Sequence, residues 1–133
     1  MFLNELNQKE KEAFINLCYY AVKDDAITEG EKELLVEYCR EMGISSYFFD
    51  DDTMSMETIK DIFKQSEKPV KKIVLLELLG MMYADGCYDI SEQDFVKALA
   101  VDIDLEEADV ETQNNMLRRY MDLVGEMTVA INS

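Results

Sequence analysis

The chain has 133 residues, and its 48% apolar content belongs to a globular protein of one domain rather than to a disordered tail. Its 29 acidic against 13 basic residues leave a net charge of −16, which repels phosphate backbones and argues against DNA or RNA as a partner. Histidine is absent, so Ser-His-Asp and Cys-His triads, His-ligated zinc and haem are excluded.

The N-terminus, Met1-Phe2-Leu3-Asn4-Glu5, has neither the basic start nor the apolar run of a secretory signal, and a cytoplasmic protein is expected. Phe14, Leu17, Cys18, Ala21 and Val22 recur at helical spacing and predict a first helix with a buried face. Thr28-Glu29-Gly30-Glu31 reads as a capping box that starts a second helix, on which Leu34, Leu35, Tyr38, Cys39 and Met42 form the buried stripe. Gly43 suits the end of that helix. Residues 44–53 read as irregular, with Tyr47, Phe48 and Phe49 packing under the helices and Asp50, Asp51 and Asp52 either solvated or charging the start of the next helix. Ser55 or Thr53 starts a short helix from about Met56 to Gln65. Pro69 fits the first turn of the next helix.

From Pro69 to Ala84 the chain leaves almost no polar face after Lys72, and a helix of that kind is surrounded by protein. It is too short and interrupted to span a membrane, which takes roughly 20 apolar residues. Glu77 is the exception within it: either a buried carboxylate with an acid–base role, or a side chain facing a gap or water. Phe95, Val96, Leu99, Ala100 and Ile103 predict a further helix, preceded by the capping pair Asp89 and Glu92, with Ser91 as a competing cap. Val110, Leu117, Tyr120, Met121, Val124 and Ile131 mark a long C-terminal helix. Lys60, Lys64, Lys68, Lys71 and Lys72 form a basic cluster, either a docking face or an ordinary solvated one. Asp102, Asp104, Glu106, Glu107, Asp109 and Glu111 form an acidic block. The three cysteines, Cys18, Cys39 and Cys87, lack C-x-x-C spacing, and the first two sit in apolar helical patterns as core residues.

Residues 13–42 align without gaps onto 74–103 at an offset of 61: Leu17 on Leu78, Asp24 on Asp85, Glu31 on Glu92, with Asn16 opposite Glu77. Each copy reads as a buried helix, an acidic turn and an amphipathic helix. The expected fold is all-α: a single domain over residues 1–133, with six to seven helices built on two repeated hairpins.

The phrase Met82-Tyr83-Ala84-Asp85-Gly86, with Glu92 starting the next helix, resembles the TerB-like family associated with tellurite resistance. Lys23-Asp24-Asp25-Ala26-Ile27-Thr28-Glu29-Gly30-Glu31 is similar to the same signature, with Asp25 in the glycine place. The resemblance spans roughly Phe14 to Leu105. It implies an all-helical, cytoplasmic, non-enzymatic protein of a bacterial stress or metal-response system, with a protein partner in a stress-response complex.

Asp24 and Asp85 stand at the C-terminal ends of their helices, the unfavourable end of the dipole for a negative charge. With Glu31 and Glu92 they form a candidate site for a divalent cation, calcium or magnesium, through hard oxygen ligands. The alternative is that the aspartates bond their own turns and the glutamates complete capping boxes. An EF-hand loop does not fit, because counting from Asp85 puts Ile90 at position six and Val96 at position twelve. Two other functions compete: a protein–protein interaction module with a Met- or aromatic-lined groove, and a metal-dependent hydrolase using the same four carboxylates.

Overall fold

A computed structural model describes residues 1–22, 29–44, 54–84 and 89–133. Helix accounts for 86% of them and no strand occurs among them, as the apolar spacing predicts. After a single 3₁₀ turn at Leu3–Glu5 come six helices: α1 (Gln8–Val22), α2 (Glu29–Met42), α3 (Met56–Gln65), α4 (Lys68–Ala84), α5 (Ile90–Asp102) and α6 (Glu107–Asn132).

Local signals set most of the boundaries. Asn7 caps α1: its Oδ1 accepts from the Glu10 N–H, while Glu10 Oε1 accepts from the Asn7 N–H, both at 2.9 Å. Helix α2 begins at Glu29, as expected, and Thr28, the cap the sequence predicts, lies outside the described residues. It ends in a Schellman motif: Gly43 at φ +68° lets its own N–H reach Arg40 O and lets the Ile44 N–H reach Cys39 O. Ser55, not Thr53, caps α3, accepting from the Thr58 N–H at 3.2 Å. Asp89, not Ser91, caps α5 in a full capping box with Glu92. The end of α5 repeats the Schellman pattern with Asp104 at φ +65°, a backbone that aspartate tolerates better than most residues.

Helices α1 and α4 are the inner elements. Residues 13–18 of α1 are all buried. At 3.6 residues per turn, six consecutive buried positions pass the full circumference, so α1 is enclosed rather than covered on one face. Helix α3 packs on it most extensively and α2 covers another part. On α4, Val74, Leu75, Leu78, Leu79, Met81 and Met82 are buried against α6, α5, α3 and the N-terminal turn. Phe14 from α1 meets Tyr38 of α2 with ring centroids 5.6 Å apart. Cys18 and Cys39 are buried and free, as expected of core thiols; burial pushes both pKa values up, Cys18 furthest.

The basic cluster is partly neutralised from within. Lys60 Nζ lies 2.8 Å from Asp102 Oδ2, and Lys72 Nζ lies 3.9 Å from Asp109 Oδ1. Two of the five lysines therefore face the acidic block at the α5–α6 junction. Helix α6 divides into two halves. Val110 and Gln113 are buried on α4 and α5, whereas Tyr120, Met121 and Ile131, expected on the same buried stripe, are exposed.

Candidate functional site

The ends of α1 and α4, which precede the two acidic segments that the sequence reads as turns, line one groove. Tyr20 and Ala21 come from α1 and Met82 from α4; Met56, at the start of α3, joins them, and Ser91, Glu92, Asp94 and Phe95 of α5 complete the wall. Its volume is about 480 Å³, which is within the range of small-ligand and peptide-anchor pockets. The groove is two-sided in chemistry. Two methionines and two aromatic rings form an adaptable apolar floor, and two carboxylates stand on its α5 side. Met82 is fully buried, and Tyr20, Met56 and Phe95 are half-buried.

Of the four expected cation ligands, Asp24 and Asp85 lie outside the described residues. Glu31 is half-buried in the first turn of α2. Glu92 is on the groove wall and accepts from the Asp89 N–H at 3.4 Å, so it serves the capping box that the sequence indicates. No group of three or more Asp, Glu, Cys or His side chains gathers as a metal site among the described residues.

Two buried polar side chains that interrupt the inner helices each take hold of an incoming segment. Asn16 is 3% exposed; its Nδ2 donates to Glu12 O at 2.8 Å and its Oδ1 accepts from the Met54 N–H at 3.0 Å. Glu77 is 8% exposed; its Oε1 accepts from the Phe2 N–H at 2.9 Å and lies 2.9 Å from the Met1 ammonium. Glu41 completes the grip, with Oε1 at 2.6 Å from the ammonium and Oε2 accepting from the Leu3 N–H at 3.2 Å. Glu77 therefore faces neither a gap nor water; the sequence marks the position but not its partner, which is 75 residues away. The Met1 ammonium feels two opposed influences. Burial lowers its pKa, and the hydrogen bonds and charges of Glu41 and Glu77 more than offset that, leaving it above the ordinary 8.0.

The chain matches no protein-family model, no curated protein and no solved structure. No helix among the described residues is long and apolar enough to cross a membrane.

Proposed function

We propose that this is a non-enzymatic, TerB-like protein of a bacterial stress, tellurite-resistance or metal-response system, and that it acts by holding apolar side chains of a partner protein in the Tyr20–Met56–Met82–Phe95 groove. The observation that carries the reading is the composition of that groove: methionines and aromatics on a floor of about 480 Å³, a surface that adapts to apolar anchors. Glu92 and Asp94 beside it favour a partner segment whose anchors are flanked by Lys or Arg. The paired-hairpin architecture is supported by two pairs of positions related by the 61-residue offset. Ala21 and Met82 both line the groove, and Asn16 and Glu77 both accept a backbone N–H from an arriving segment.

A photoreactive phenylalanine analogue at position 95 tests the reading in cells that make the protein. The expected outcome is one discrete protein adduct, reduced about tenfold by a charge in the floor, Met56→Asp, and absent from a probe placed at exposed Glu33. Equal adducts at 95 and 33, or none at 95, would sink it.

A divalent cation at the acidic turns is the second reading, favoured because Glu92 lines the groove into which both helices lead. The test is thermal unfolding with calcium, magnesium or manganese in ~0.15 M salt, where the screening length is about 8 Å. A specific site raises the wild-type midpoint with metal concentration and raises that of an Asp24→Asn/Asp85→Asn double variant less. Equal responses, or none, would make the turns structural caps.

A further inference from the structure

A second cleft, of about 390 Å³, lies between α5 and the first half of α6, which pack side by side. Gln93 and Lys97, one turn apart, line its α5 wall. Glu111, Asn114, Asn115 and Arg118 line its α6 wall over two turns. Buried Val110 is the only apolar residue lining it among the described residues. The volume suits a small molecule, and the lining does not suit an apolar anchor. The cleft shares no residue with the groove of α1, α3, α4 and α5, so either reading can fail without the other.

The fold uses only part of this polar lining. Asn114 Oδ1 accepts from the Tyr83 hydroxyl at 3.2 Å, which fixes the amide, and Asn114 Nδ2 makes no hydrogen bond among the described residues. Asparagine is a poor helix former because its side chain competes for the backbone. Two in succession inside α6 therefore serve the cleft better than they serve the helix. Lys97 and Arg118 form no ion pair among the described residues, although the chain has 29 acidic residues and Glu111 lines the same cleft. Two cations against one anion give the cleft a net charge of +1 in a protein of −16. Anions that the rest of the surface repels are attracted here. The guanidinium fork of Arg118 takes one carboxylate through two parallel bonds, and the Lys97 ammonium takes a second as a point charge. The amides donate to either, and Glu111 accepts from an ammonium. The complement of this set is two carboxylates and one ammonium.

We infer that the α5–α6 cleft binds a small zwitterionic dicarboxylate, the chemistry of an acidic amino acid, with Arg118 and Lys97 on its carboxylates, Glu111 on its ammonium, and Gln93, Asn114 and Asn115 on the remaining polar atoms.

The test is a titration of the full chain with L-glutamate, followed by the backbone amide resonances in ~0.15 M salt, which screens nonspecific attraction. The amides of Lys97, Asn114 and Arg118 should shift along a saturable curve with a dissociation constant on the order of 1 mM or tighter, the range open to a ligand of about ten heavy atoms. Arg118→Glu and Lys97→Glu should each weaken binding about tenfold. Both side chains are exposed, so the helical circular dichroism should not change. Succinate, a dicarboxylate without the ammonium, should bind about threefold more weakly than glutamate, and Glu111→Gln should abolish that preference. No saturable shift up to ~10 mM glutamate overturns the inference. So do shifts that either charge reversal leaves unchanged, which would be nonspecific attraction of an anion. Succinate that binds wild type as tightly as glutamate overturns it too, because Glu111 would then have no part in recognition.

Discussion

Phe63→Ala should lower the free energy of unfolding by about 3–5 kcal/mol, as removal of a fully buried aromatic ring does. Helix α3 has ten residues and two fully buried side chains, Ile59 and Phe63. A helix this short does not hold together in water on its own. It persists because those two anchors pack it on α1, with smaller contacts to α4 and α5. At the far end the Ser66 hydroxyl donates to buried Glu10 Oε2 at 2.7 Å, tying the C-terminus of α3 to the start of α1. Losing the ring leaves a cavity in the core and removes one of the two fully buried side chains of α3. Exposed apolar residues give the contrast. Ile90 is 75% exposed and Val101 59% exposed, and alanine at either should change stability by no more than about 0.5 kcal/mol. Urea unfolding followed by circular dichroism measures all three. A Phe63→Ala variant within 1 kcal/mol of wild type would mean that α3 is not held by its buried face.

Patterns local in sequence proved readable, and contacts distant in sequence did not. Ser55, Gly43 and the Asp89–Glu92 pair act within four residues of themselves, so their geometry is implied by residue type, and α3 begins and ends where the pattern places it. The apolar run of α4 indicates enclosure because no arrangement with a wet face satisfies it. Helix α1 is enclosed too, although its stripe implies one buried face: the intervening Ala13, Ile15 and Asn16 are buried only because α2 and α3 approach from elsewhere in the chain. The stripe on α6 shows the opposite limit. Periodicity marks a face that needs cover without saying whose, and among the described residues it is mainly the first half that finds it. The groove was legible as a class of surface, Met- or aromatic-lined, but not as particular residues, since its walls come from four helices. The acidic turns carried the cation expectation, and Asp24 and Asp85 lie outside the described residues.

The N-terminal clamp gives the other large effect, and it carries a sign in pH. Glu77→Ala should cost about 1.5–3 kcal/mol, the range for losing a hydrogen bond to a charged group. The Phe2 N–H loses its acceptor, the Met1 ammonium keeps only Glu41, and α4 and the N-terminal turn lose their polar tie. Part of this is offset, because a nearly buried carboxylate no longer has to be desolvated. Glu77→Gln should cost less, since the amide oxygen still accepts from Phe2 and only the attraction to the ammonium is removed. The pH dependence separates the two contributions. The ammonium's pKa is raised in the folded protein above the 8.0 it has when unfolded. Its contribution is therefore fully present below pH 8 and is lost as the pH rises through the folded value. Wild type should lose more stability than Glu77→Gln between pH 7 and pH 10, and the difference between them cancels the lysines, tyrosines and thiols that both share. Acetylating the N-terminus removes the ammonium outright and should flatten the same difference. If wild type and Glu77→Gln have parallel pH profiles, the carboxylate holds only the Phe2 backbone, and the ion pair to Met1 adds nothing to the fold.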